Sequence, residues 1–217
     1  MALLDVVLPP SCGGCGRFGA LLCPACRATF RPPVPAVDRF FAADAGVVIG
    51  DAVEVAVSAF AYEGALRRAL QRLKYGRVAR LARPLAETAA PAFASIRSRA
   101  EPAPTAVPIP LHPLRERQRG YNQAALLAVE LGRIARIPVR DVLVRRRLTT
   151  KQHTLDRAAR IRNLAGAFVA RPGTAVPASV VLIDDILTTS ATLESCAAVL
   201  RAAGVGRVYG FTIAREV

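Results

Sequence analysis

Residues 180–183 (VVLI) are an unbroken apolar run, followed at once by Asp184-Asp185-Ile186-Leu187-Thr188-Thr189-Ser190-Ala191-Thr192. Residues 193–200 then carry Leu193, Cys196, Ala197 and Leu200 on one helical face, with Gly204 as the stop. A strand that is apolar at every position is buried on both faces, which happens in a parallel sheet covered by helices. The rest of the chain agrees. Strands are expected at 55–62 and 208–214 and a short apolar run at 106–111, with helices at 64–73, 79–90 and 122–134. The alternation predicts an α/β fold: a mostly parallel sheet flanked by helices.

In such a sheet, ligands bind outside the carboxyl ends of the strands. Two carboxylates, Asp184 and Asp185, end the predicted strand, and a loop of small hydroxyl residues opens onto the next helix. Free backbone N–H groups, the helix dipole and the hydroxyls of Thr188, Thr189, Ser190 and Thr192 suit an anion. The carboxylates repel phosphate and suit sugar hydroxyls or a metal. A ligand with a phosphate at one end and ribose hydroxyls close by satisfies both halves. The plainer alternative is that the two aspartates cap the helix and pair with arginines.

Four of the five cysteines fall close together as Cys12-x2-Cys15 and Cys23-x2-Cys26. Two such knuckles suit one tetrahedral Zn²⁺ of structural type, because four thiolates leave no open position for substrate. Gly13, Gly14 and Gly16 are expected to give the first knuckle its backbone freedom. The alternative is a disulfide pair or two redox dithiols. A segment this short buries little core, so metal binding is expected to fold it. The proline-rich stretch Arg31-Pro32-Pro33-Val34-Pro35 marks a boundary. The expected organisation is a four-cysteine zinc-ribbon element at 1–33, a linker at 34–54 and the α/β domain at 55–217.

The net charge of +14 asks for an anionic partner. Among thirty basic residues only Lys74 and Lys151 are lysine, so codon bias toward arginine contributes to the pattern. Aromatics are 6% with no tryptophan, which argues against a stacking platform for single strands. Weak, non-specific DNA binding is the expectation. The most apolar stretch, 40–62, is interrupted by Asp44, Asp51 and Glu54, so no membrane span is expected. The first residues lack a basic region and a cleavage site, and the expected location is the cytoplasm.

The loop 181–193 resembles the phosphoribosyl-pyrophosphate (PRPP) loop of type I phosphoribosyltransferases. Three further segments resemble the ComF branch of that superfamily, also called ComFC or GntX-like. They are Leu73-Lys74-Tyr75-Gly76; Val107-Pro108-Ile109-Pro110-Leu111 followed by Arg117-x-Arg119-Gly120-Tyr121-Asn122-Gln123; and Gln152-x2-Leu155 followed by Arg162-Asn163 and Gly166-Ala167-Phe168. The four-cysteine element is also typical of that family. The resemblance runs over nearly the whole chain, and the Arg-Gly-Tyr-Asn-Gln segment is its most specific piece.

The resemblance implies a type I phosphoribosyltransferase fold and transfer of phosphoribosyl from PRPP to an acceptor that no motif identifies. By resemblance, Asp184 and Asp185 hold the ribose hydroxyls, and Thr188, Thr189, Ser190, Ala191 and Thr192 hold the 5-phosphate. Mg²⁺ bridges the pyrophosphate. Lys74, Arg117, Arg119 and Lys151 are candidates for the pyrophosphate site, with 145–162 as a lid; for any single arginine, a solvated surface position is the alternative. Family members are linked to natural competence. The alternative function is a non-catalytic PRPP- or DNA-binding accessory, or an adaptor that docks a competence helicase or another DNA-uptake protein. Ser190 stands where the family loop usually has glycine, a position that often needs positive φ.

Overall fold

In the computed structural model, residues 9–33, 52–147, 166–188 and 190–216 are described. The helices are α1 (Pro24–Arg27), α2 (Gly64–Tyr75), α3 (Ala82–Arg99), α4 (Pro113–Arg119), α5 (Gln123–Ala135) and α6 (Ala191–Ala202). The strands are β1 (Ala56–Ala61), β2 (Thr105–Pro108), β3 (Leu143–Arg145), β4 (Phe168–Ala170), β5 (Ser179–Leu187) and β6 (Arg207–Arg215). A four-stranded sheet runs in the order β1-β6-β5-β2 and every pairing in it is parallel. β3 and β4 form a separate antiparallel pair. The predicted α/β class is therefore observed, with this small antiparallel pair added.

Period-2 alternation sorts the central strands between two helical layers. Val181, Ile183, Tyr209, Phe211 and Ile213 pack on the face that carries α2, α3 and α5. Phe93 of α3 meets Phe211 edge to face at 4.9 Å. Val180, Leu182 and Val208 point the other way, onto Leu193, Cys196, Ala197 and Leu200 of α6. Cys196 is fully buried there, as a core residue.

Two elements differ from expectation. The strand expected to stop before the aspartates runs on through Leu187. β6 is long enough to pair Asp184 with Thr212, Ile186 with Ala214 and Leu187 with Arg215, so the ladder carries the carboxylates inside the sheet edge. The helix expected to stop at residue 90 opens as a 3₁₀ turn (Ala79–Leu81) and then continues through Pro91 to Arg99. Leu85, Ala86, Ala89, Phe93 and Ile96 keep one face buried across the proline. That burial offsets the missing N–H.

The cysteine segment does not stand apart. Cys12, Leu22 and Cys26 share one core with Ala65, Ala69 and Leu81. The backbone N–H of Ala61 donates to the carbonyl of Arg31 at 2.8 Å, which ties the proline-rich exit to the edge of β1. Residues 34–51 of the expected linker lie outside the described residues. Its last part is described, with Val53 fully buried.

Candidate functional site

The four sulfurs of Cys12, Cys15, Cys23 and Cys26 all lie within 4.8 Å of one another. The Cys15 and Cys23 sulfurs are 3.7 Å apart. Tetrahedral zinc with Zn–S of ~2.3 Å requires sulfurs roughly 3.8 Å apart, so the set fits that ion. The N–H groups of Gly14 and Cys23 each point at the Cys12 sulfur, at 3.4 Å. Burial pushes the Cys12 thiol up, but the N–H groups of Cys23, Cys15 and Gly14 prevail and hold it at about 6. Burial and the neighbouring thiols push Cys26 up to about 12. Four clustered thiols cannot all ionise alone, and a divalent cation relieves that repulsion.

The glycines of the first knuckle divide in role. Gly16 supplies the expected freedom, with φ of +81°. Gly14 supplies close approach instead: a Cβ there would lie 2.8 Å from the Cys26 sulfur and 3.0 Å from Ala65 Cβ. The knuckle is clamped onto α2, since Arg68 donates to the carbonyl of Gly14 at 2.5 Å and Arg72 to that of Cys12 at 3.1 Å.

The same helix reaches the second site. Lys74 Nζ lies 2.8 Å from Asp185 Oδ2, with side chains only 12% and 4% exposed. Burial pushes the ammonium down, yet Asp185 and then Asp184 outweigh it and hold it above the usual lysine value. Consecutive strand residues face opposite ways. Asp185 turns toward α2, while Asp184 turns toward α6 and lines a small open cleft with Ile186, Leu187, Thr188, Ser190, Thr192, Leu193 and Thr212. Burial, then the charge of Asp185, raises the Asp184 carboxyl to about 7, although its Oδ1 accepts the Asp185 N–H at 2.8 Å.

Ser190 precedes α6 with φ of 43° and ψ of −18°, a left-handed conformation that glycine adopts most readily. Its carbonyl accepts the N–H of Glu194 at 2.9 Å, and Ala191 is the first residue of the helix. The cleft thus gathers Asp184, Thr188, Ser190 and Thr192. Thr189 and residues 148–162 of the expected lid, Lys151 among them, lie outside the described residues.

Neither Arg117 nor Arg119, the two arginines expected at the pyrophosphate, lines the cleft. Arg117 is exposed on α4. Arg119 lies over the ring of Tyr75, 5.2 Å from its centroid, and donates to Gln123 Oε1. The Arg-Gly-Tyr-Asn-Gln segment acts as a clamp. Tyr121 donates to the carbonyl of Leu73 at 2.6 Å, and Asn122 caps α5 through Ala124 N while donating to the carbonyl of Ile109. His112 caps α4 by accepting the Leu114 N–H. Thr212 is a cleft residue that sequence reasoning missed. Its hydroxyl meets Ser58 at 2.7 Å across the sheet. It is a hydroxyl side chain among the apolar residues Phe211, Ile213 and Ala214 of β6, and alternation alone could have flagged it.

A parallel α/β sheet with a hydroxyl-rich loop before α6 and a four-cysteine cluster packed against α2 defines the class. No protein-family model matches the chain. It is similar to Competence protein F of Haemophilus influenzae, 38% identical over 112 residues, which is 50% of this chain and 49% of that protein. It is also similar to Competence protein ComFC of Bacillus subtilis, 37% identical over 111 residues, covering 51% of the chain and 44% of the relative. DNA utilization protein YhgH of Escherichia coli is 31% identical over 115 residues, 51% and 49% of the two chains. These relatives bear out the ComF-family resemblance; the chain spans about half the length of the curated relatives it matches. Among the described residues, no helix is long and apolar enough to cross a membrane.

Proposed function

We propose that the chain binds Mg-PRPP in the cleft between the end of β5 and the start of α6, and transfers phosphoribosyl to an acceptor in a competence-related process. The observation that carries this reading is the convergence of Asp184, Thr188, Ser190 and Thr192 on one cleft at a strand-to-helix turn. The N-terminal N–H groups of α6 and the hydroxyls suit the 5-phosphate, and Asp184 suits a ribose hydroxyl. Transfer needs no protein nucleophile. The C1–oxygen bond to pyrophosphate breaks, the acceptor bonds to C1, and the site holds the sugar and shields the oxocarbenium-like state from water. Mg²⁺, when bound, neutralises the leaving pyrophosphate. Lys74 pairs with Asp185, the carboxylate next to Asp184 in the chain.

Similarity to proteins named for competence and DNA utilization supports the process. The excess of positive charge supports weak DNA binding that falls steeply with salt. A second reading, PRPP binding without transfer, as an accessory that docks a helicase or other uptake protein, is favoured by the strained Ser190 in the phosphate turn. Calorimetric titration with Mg-PRPP, followed by a screen of acceptors for pyrophosphate release, decides between them. Binding without release under any acceptor selects the accessory, and absence of binding at millimolar Mg-PRPP defeats both.

A further inference from the structure

Spacing pairs the four clustered cysteines within each knuckle, but exposure sorts them across the knuckles. Cys12 and Cys26 are buried, Cys23 is partly exposed and Cys15 is exposed. The inner pair is held from within the protein. The N–H groups of Gly14 and Cys23 point at the Cys12 sulfur, and the Cys26 sulfur lies 2.8 Å from where a Gly14 Cβ would be. The outer pair takes one thiol from each knuckle, and the Cys15 and Cys23 sulfurs are 3.7 Å apart. The backbone beside Cys15 has room to move, since residues 15–19 are all exposed and a Cβ at Gly16 would meet nothing within 4 Å. The inner side is tied down instead. Arg68 and Arg72 hold the carbonyls of Gly14 and Cys12, and the helix that supplies them also carries Lys74 to Asp185. Cys196, the remaining cysteine, is fully buried under α6 and reaches none of this.

We propose that Cys15 and Cys23 are an oxidative modification site: hydrogen peroxide joins them as a disulfide, the knuckles give up their metal, and α2 is unclamped. The inference rests on the zinc reading of the cluster and is independent of the PRPP reading. The exposed Cys15 thiolate attacks one peroxide oxygen, the O–O bond breaks, hydroxide leaves, and Cys15 becomes a sulfenic acid. The Cys23 thiolate then attacks the Cys15 sulfur, the S–O bond breaks, and a second hydroxide leaves. The two sulfurs have lost two electrons, the peroxide has gained them, and solvent protons turn both hydroxides into water. A sulfur–sulfur bond of ~2.05 Å holds the pair closer than two ligands of one tetrahedral ion stand, and a disulfide sulfur is no longer a thiolate ligand. Cys12 and Cys26 then remain as two ligands where a structural ion takes four. The carbonyls of Gly14 and Cys12 are the acceptors for Arg68 and Arg72, so a knuckle that loses its fold frees the helix bearing Lys74.

The test uses the full chain, purified with its zinc under reducing conditions, and hydrogen peroxide as the probe. A chromogenic chelator follows metal release, mass spectrometry of the alkylated, proteolysed chain maps the disulfide, and hydrogen–deuterium exchange follows α2. The wild type releases zinc, carries a Cys15–Cys23 bond and exchanges faster in α2, and a thiol reductant with added zinc reverses all three. Cys15→His keeps a ligand for the ion but no partner for Cys23, so it binds zinc and releases it to peroxide at least ~tenfold more slowly. Should that variant fail to bind zinc, the disulfide map of the wild type decides. Bonds within the knuckles, Cys12–Cys15 or Cys23–Cys26, overturn the proposal, as does wild-type protein that keeps its zinc and all four thiols under peroxide. Zinc release from Cys15→His at the wild-type rate overturns it too, and zinc release with unchanged exchange in α2 removes the unclamping. If the chain purified under reducing conditions holds no zinc, the metal reading fails and the modification site with it.

Discussion

The cysteine knuckles and the β5–α6 loop both crowd groups of one charge sign, and they resolve the crowding in opposite ways. Four sulfurs converge on one point, their backbone is clamped by Arg68 and Arg72, and the cluster is part of a closed core. The two aspartates diverge to opposite faces of one strand, one paired with Lys74 and one turned to an open cleft. The loop beside them holds a serine in a left-handed conformation. A convergent cluster suits a cation that is retained and contributes to folding. A divergent pair beside a strained turn keeps its tension, which an exchanging ligand can relieve.

The largest effect tests the first half of this contrast. Cys12→Ser is expected to release zinc and to remove stability on the order of a whole domain's, about 5–15 kcal/mol, since the knuckle shares its core with α2. The proline-rich boundary at 31–35 does not isolate the segment, because Cys12, Leu22 and Cys26 pack in one core with Ala65, Ala69 and Leu81. Metal analysis together with urea denaturation checks it. A variant that has lost its zinc but keeps the wild-type unfolding midpoint would separate the two regions.

Next in size is Lys74→Met, which leaves Asp185 as a lone carboxylate, 3% exposed. Breaking a buried pair from one side costs about 3–5 kcal/mol. The double variant Lys74→Met with Asp185→Leu should recover most of the loss, because an apolar pair replaces the ionic one. Denaturation of the three variants forms a cycle, and a coupling energy near zero would mean that the pair is ornamental.

Asp184 gives a smaller effect with a pH signature. Its folded value of about 7 lies above the ordinary carboxyl value near 3.9, so the native state binds the extra proton. The stabilisation is fully present below about pH 4 and is lost as pH rises through about 7. Wild-type stability from this group therefore falls between those limits. Asp184→Asn should flatten that slope and be more stable than wild type at pH 8 by about 1–2 kcal/mol, while binding Mg-PRPP more weakly. An unchanged slope would remove the tension attributed to the cleft.

Legibility from sequence tracked how local the controlling physics was. The run at 180–183, the amphipathic stretch before Gly204 and the CxxC pairs announce themselves by period or spacing, and each is where it was expected. The left-handed Ser190 was also readable, because one residue's chemistry sets that cost. What escaped depends on partners far along the chain. β5 extends past the aspartates because β6 offers a ladder, and α3 crosses Pro91 because its buried face continues. Arg117 and Arg119 looked alike in a basic segment, but Tyr75, more than forty residues away, decides where Arg119 lies. The β3–β4 pair is only three residues per strand, too short for a period to show.

The smallest expected effect falls on the turn itself. A non-glycine residue at φ of 43° carries a backbone cost of roughly 1 kcal/mol that glycine does not. Ser190→Gly removes that cost, but it also frees the unfolded chain and deletes the hydroxyl of a buried residue. The two losses oppose the gain, so the ligand-free protein should change by less than about 1 kcal/mol in either direction. The informative readout is the ligand. If the loop is a phosphate cradle, glycine lets its N–H groups close around the phosphate, and Mg-PRPP affinity stays equal or rises by a few fold. If affinity instead falls tenfold, Ser190 contributes its hydroxyl to the phosphate, and the strain at this position is retained for binding. If neither protein binds Mg-PRPP, the turn's strain serves no phosphate, and the contrast between a kept cation and an exchanged ligand collapses at its second term.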